Sequence, residues 1–140
     1  MTPSTSPADL IDRGASGLHP TDDITGARLV AREKGWRVVE LDTSAGTDKA
    51  HFLAVCRTAF DLPDWFGNNW DALADSLTDV DNTPGTLVLW QGAGSLEAPV
   101  RETAAEIFAD RAEQATSRGL STFLVLVGND SGAGRTMNDL

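Results

Sequence analysis

From Trp36 onward the chain alternates between short apolar runs and longer stretches in which apolar residues return every three or four positions. Trp36-Arg-Val-Val-Glu-Leu41, bounded by Gly35 and Asp42, has the β-branched and apolar content of a strand. Thr86-Leu-Val-Leu-Trp-Gln91 reads as a second strand. Thr122-Phe-Leu-Val-Leu-Val127 reads as a third, so uniformly apolar that both of its faces should be covered. Between the first two strands, Thr47 is a suitable N-cap for a helix whose apolar face carries Phe52, Val55, Cys56, Ala59 and Phe60 and which ends before Pro63. After a turn over 61–69, Trp70, Leu73, Leu77 and Val80 space out a second helix, stopped by Asn82-Thr-Pro-Gly85. Gly92 to Ser95 is a loop. Val100, Ala104, Ile107, Phe108, Ala112 and Ala115 then line one face of a long helix that Gly119 can end.

Strands joined by helical crossovers of this length are most simply parallel, with right-handed connections. The expected fold class is therefore α/β, a three-stranded parallel sheet packed with helices. Residues 1–35 are expected to be an N-terminal arm, partly disordered, because its first 23 residues are rich in Pro, Ser, Thr, Gly and Asp; Ile24 to Lys34 is a short helix within it. Residues 36–127 are expected to form the folded domain. Residues 128–140, with Gly132 and Gly134, are expected to be a flexible tail. Neither an internal repeat nor a Gly-rich phosphate loop occurs, and Gly92-Ala-Gly94 is too short a match to a nucleotide fingerprint to count.

A chain of 140 residues suits one domain with its own core. The single cysteine, Cys56, excludes an internal disulfide framework, and its place on an apolar helix face points to a buried structural thiol. The first residues lack the basic start and apolar run of a secretory signal, so a cytoplasmic protein is expected. No apolar stretch approaches the roughly 20 residues that span a bilayer.

Charge changes the picture more. The formal net charge is −10, the reverse of what phosphate recognition needs, so direct nucleic-acid binding is not expected and a basic partner suits the chain better. The distribution is uneven: residues 58–100 contain no Lys or Arg and seven Asp or Glu. Within that stretch Asp71, Asp75 and Asp79 fall four apart, on a different helix face from the apolar set. Like charges at this spacing cost an isolated helix roughly 0.2–0.5 kcal/mol per pair, and such local penalties tend to mark functional surfaces. Asp71 also has a structural role open to it. With Asn68 as N-cap it would stand at the third helical position, where a carboxylate favours the positive end of the dipole. Asp75, a turn further in, gains little from the dipole and is the strongest functional candidate. Asp79 is open to a bland, solvated reading. Trp65, Phe66 and Trp70 cluster around Gly67 immediately before the stripe, with Trp70 and Phe66 expected inward and Trp65 partly outward; aromatic anchors beside partner-facing charges are a feature of tight interfaces.

Leu62-Pro-Asp-Trp-Phe-Gly-Asn-Asn-Trp-Asp-Ala-Leu-Ala-Asp-Ser-Leu-Thr-Asp79 resembles the signature of the barstar family of ribonuclease inhibitors. The pattern is Leu-Pro, two aromatics, Gly, any residue, Asn, an apolar residue, Asp-Ala-Leu, a position often aromatic, then Asp and Leu-Thr. The likeness extends to the order of strands and helices from about Trp36 to Val127. By that resemblance Asp75 matches the acid that enters the nuclease active site in place of a substrate phosphate, and Asp71 matches a second contacting acid. Trp65 matches the aromatic that lies against the nuclease, and Asn69 with Gly67 match loop contacts near the backbone. Ala74 departs from the pattern where an aromatic often makes contact. The long helix is also extended, so the family's acid there corresponds to Asp110 or Glu113.

The resemblance implies an intracellular inhibitor, monomeric when free, that blocks a small basic ribonuclease in a one-to-one complex, without cofactor or metal and without membrane contact. An immunity protein against another nuclease toxin, such as a DNase, is the alternative. Divalent-metal binding by Asp71, Asp75 and Asp79 is a weaker one, since three acids along one straight helix enclose an ion poorly. Catalysis is not expected: His19 and His51 fall in separate regions with no evident catalytic partner.

Overall fold

The computed structural model describes residues 6–62 and 69–128. In chain order the elements are α1 (Pro7–Asp12), β1 (Gly17–Thr21), α2 (Ile24–Glu33), β2 (Arg37–Asp42), α3 (Lys49–Ala59), α4 (Trp70–Thr78), β3 (Gly85–Gln91), a 3-10 turn (Ala93–Ser95), α5 (Ala98–Ser117) and β4 (Thr122–Gly128). All strand pairs are parallel and the sheet order is β1-β4-β3-β2.

The sheet thus has four strands, not the three expected. The additional strand, β1, lies within the stretch expected to be an arm and pairs along β4 from Gly17 opposite Leu124 to Thr21 opposite Gly128. Its five residues, Gly-Leu-His-Pro-Thr, hold a single large apolar side chain, so hydrophobic periodicity passes over it. Pro20 is tolerated because β1 is an edge strand, where a missing backbone donor costs no ladder bond.

Topology determines which face each helix covers. From β2 to β3 to β4 the chain steps one way across the sheet, and right-handed crossovers place α3, α4 and α5 together on one face. From β1 to β2 it crosses the whole sheet the opposite way, so α2 belongs on the reverse face. Side-chain alternation along the central strands matches this division. Val88 and Trp90 of β3, with Phe123 and Val125 of β4, meet Phe52, Leu53, Cys56, Leu73, Leu77 and Phe108 on the first face. Leu87, Leu89, Leu124 and Leu126 point the other way and meet Leu10 and Ile11 of α1, Ala27 and Ala31 of α2, and Trp36. The apolar β4 is therefore covered on both sides, as its composition requires.

Local capping explains the helix ends. α1 opens with Ser6 accepting from the Asp9 amide and Pro7 at the first position. The cap of α3 is Asp48, which accepts from the His51 amide at 2.9 Å, one residue beyond the expected Thr47. α2 stops where Gly35 takes a left-handed φ of 81°, letting the Trp36 amide return to the Ala31 carbonyl at 2.9 Å. At the end of α3 the same device falls on a non-glycine residue: Asp61 holds a φ of 56° and the Leu62 amide reaches the Arg57 carbonyl at 2.9 Å.

A candidate protein-binding surface on the acidic helix

Helix α4 presents the acidic stripe. Leu73 and Leu77 are fully buried, Trp70 and Ala72 are partly buried against the core, and Asp71, Asp75 and Asp79 are all exposed. Among the described residues none of the three carboxylates makes an ion pair; the ion pairs are Arg28 with Glu40 and Lys34 with Asp12, both involving residues of the N-terminal half. The three carboxylates face solvent.

Both ends of this helix are fixed. At the start the side chain of Asn69 accepts from the Ala72 amide at 2.7 Å, so Asn69 is the N-cap rather than Asn68. This moves Asp71 to the second helical position, still in the first turn, where its charge favours the dipole. Trp70 packs its ring 5.7 Å from that of Phe52, which in turn lies 5.8 Å from Trp90 and 6.2 Å from Phe108. Lys49, at the start of α3, places its ammonium 5.8 Å from the Trp70 ring centroid. At the far end Asp79 is the C-cap, and the buried Arg111 of α5 donates from Nε to the Leu77 carbonyl at 2.9 Å. Sequence spacing had a signal for Arg111, since it stands on the same helical stripe as Ala104, Phe108 and Ala115, but an arginine there reads as surface.

Of the other expected contact residues, Trp65 and Gly67, together with Phe66 and Asn68, lie outside the described residues. Asp110 and Glu113 are both exposed on α5, and no hydrogen bond or ion pair links either to α4. Ala74 is exposed between Asp71 and Asp75, so the position holds a methyl group where a ring would project.

Elsewhere, Cys56 is fully buried, and burial pushes its thiol well above the ordinary range. The Nε2 of His51 is buried without a hydrogen-bond partner among the described residues, while His19 lies on β1. Among the described residues no three carboxylate, imidazole or thiol groups converge where a metal ion could sit, Asp71, Asp75 and Asp79 included. No helix among them is long and apolar enough to cross a membrane.

The described residues thus form a four-stranded parallel sheet that carries an acidic helix anchored at both ends. The barstar family model, described as "Barstar (barnase inhibitor)", matches residues 36–127, and the chain belongs to that family. The match spans β2 to β4 and contains the whole acidic helix; α1, β1 and α2 precede it. No curated protein sequence matches the chain.

Proposed function

We propose that the protein is an intracellular inhibitor that performs no chemistry of its own and occupies the cationic active site of a small basic ribonuclease in a one-to-one complex. The observation that carries this reading is the set of three exposed carboxylates on α4, unpaired among the described residues and held on a helix fixed at both ends. Family membership supports it. Barnase and barstar are themselves the type example of charge-driven association.

In this reading Asp75 takes the place of a substrate phosphate among the nuclease's basic side chains. Asp71 and the turn carrying Trp65, Gly67 and Asn69 meet the rim of the active site, and Asp110 or Glu113 adds a contact from α5. The carboxylates offer the partner's Arg and Lys groups charge-assisted hydrogen bonds, which are shorter and stronger than neutral ones. The cell gains a cytoplasmic safeguard against a nuclease made within it.

A second reading changes the target to another nuclease toxin, and the exposed methyl of Ala74 favours it, because the surface between the two leading acids differs in shape from the family pattern. One experiment separates the readings. Cleavage of a fluorogenic RNA by a panel of small basic ribonucleases is titrated with the native protein and with Asp75→Ala. Stoichiometric inhibition by the native chain, weakened by about 3–5 kcal/mol in the variant, is expected if Asp75 meets a buried cationic cluster. Equal inhibition by both proteins rejects Asp75. No inhibition across the panel by folded protein shifts the target to a different nuclease.

A further inference from the structure

Arg111 is 2% exposed, yet among the described residues no carboxylate pairs with it. Its guanidinium spends its donors on backbone and hydroxyl oxygens. Nε donates to Leu77 O at 2.9 Å and Nη2 to Val80 O, both at the exit of α4. Nη1 donates to Ser121 O at 3.1 Å, and Nη2 also reaches Ser121 Oγ at 3.3 Å, just ahead of β4. Its Cζ lies 5.0 Å from the Phe123 ring centroid. Asp81 completes the arrangement by accepting from the Ser121 amide at 2.8 Å, and its charge partly offsets the desolvation that lowers the Arg111 pKa.

Burying a cation is costly, and a well-packed apolar side chain of similar volume is often equal or better for stability alone. What a guanidinium supplies and a hydrocarbon cannot is a planar fork that fixes several acceptors in one geometry. Here the acceptors belong to two segments. The fork joins the end of α4 to the start of β4 from a position on α5, so the helix cannot slide or roll without breaking several charge-assisted bonds. Leu77 and Val80 flank Asp79 and follow Asp75 within two turns, so the positions of both acids depend on this junction. A cation at this end also complements the negative pole of the helix dipole.

We propose that Arg111 is a positioning residue for partner recognition, holding α4 in the orientation that presents Asp71 and Asp75 together and thereby setting the lifetime of the complex. The inference rests on the inhibitor reading. It predicts a kinetic asymmetry: the long-range field of the carboxylates survives loss of Arg111, so encounter is preserved, whereas the docked geometry is not pre-organised and dissociation accelerates.

The test uses the full chain with Arg111→Met, Arg111→Lys and Ser121→Ala, read by amide hydrogen exchange of the free protein and by association and dissociation rates with a ribonuclease that the native protein inhibits. Arg111→Met is expected to speed exchange of the α4 amides about tenfold or more relative to those of β3 and β4, because local opening no longer breaks the junction. Dissociation is expected to accelerate about tenfold to a hundredfold with association within about twofold, and Arg111→Lys to fall between. An unchanged dissociation rate in folded variants overturns the proposal. If Arg111→Met does not fold, Arg111→Lys and Ser121→Ala decide the matter by the same criterion. If the native chain inhibits no ribonuclease in the panel, the inhibitor reading fails, while the exchange data still judge the junction: uniform or absent acceleration shows that Arg111 does not hold α4.

Discussion

The ammonium of Lys49 lies 5.8 Å from the centre of the Trp70 ring, so the residue that opens α3 sets a positive charge beside the residue that opens the acidic helix. Residues 58–100 contain no cation, which makes this neighbour from α3 a conspicuous exception at the head of the stripe. For a cationic partner it is a like charge in the approach path. Lys49→Ala is expected to speed association about twofold to fivefold at low salt, with the difference fading by roughly 0.5 M salt, where the Debye length is about 4 Å. Stopped-flow mixing at several ionic strengths reads this directly, and a slower rate at low salt would show that the partner carries an acid opposite Lys49.

Asp79 caps the end of α4, where a negative charge opposes the helix dipole and sits one turn from Asp75. Asp79→Asn is expected to stabilise the free protein by about 0.3–1 kcal/mol at low ionic strength. Urea unfolding in low and high salt checks the size and its screening. If this stability gain comes with weaker inhibition, Asp79 belongs to the contact surface; if inhibition is untouched, it does not.

Asp61, just after α3, holds a left-handed backbone angle of the kind that Gly35 adopts without strain after α2. Asp61→Gly is expected to raise unfolding free energy by up to about 1 kcal/mol, the Cβ penalty of that conformation less the entropy glycine adds to the unfolded chain. A loss of stability in chemical denaturation would mean that the Asp61 side chain has a role beyond its backbone angle.

Two carboxylates near the β2 edge are held in their charged forms. The hydrogen bond from Arg28, at 2.6 Å, lowers the Glu40 pKa, and hydrogen bonds from the Ser44 hydroxyl and amide lower that of Asp42. Because the folded-state values lie below the unfolded ones, their contribution is present above the ordinary carboxylate range and is lost as pH falls through the folded values. Both sites are open to solvent, so the contribution is small, about 0.2–1 kcal/mol for the Arg28–Glu40 pair. Glu40→Gln is expected to remove that amount at pH 7 and to matter progressively less as acid protonates the folded-state carboxylate, as thermal melts across pH can show.

The reverse-face core makes residues 6–35 part of the folded body, with Leu10 and Ile11 almost fully buried against the sheet. Leu10→Ala is expected to cost about 2–5 kcal/mol in one cooperative transition. A cost under about 0.5 kcal/mol, the range of an exposed substitution, would show that this layer adds little to the fold.

Strands β2, β3 and β4 and helices α2 to α5 were legible because each buries a continuous run or one regular stripe of apolar groups, and a two-sided strand such as β4 has almost no other composition. The acid stripe was legible for the same reason, since charge repeated every fourth residue survives as a surface feature. β1 was not, because an edge strand joined along one side needs little apolar content: Leu18 and two glycine-proline punctuated flanks look like linker. The N-caps of α3 and α4 each fell one residue later than expected, on Asp48 and Asn69, because Thr47 and Asn68 are also capping types and the backbone turn selects between neighbours. Arg111 shows the opposite failure. It stands on the apolar stripe of α5, and spacing alone cannot reveal that backbone carbonyls from α4 and Ser121 will meet its charge.

The pairing of β1 with β4 joins the first strand of the sheet to the last, and the Phe123 amide donates to Ser16 Oγ across 107 positions of sequence. Contacts this distant close late, since the loop entropy must be overcome before they form. During synthesis β1 has no strand to lie against until β4 has left the ribosome, while Leu10 and Ile11 wait for Leu124 and Leu126. The segment that comes first in this fold is therefore the last to find its place, and the reverse side of the sheet is sealed only once β4 has emerged.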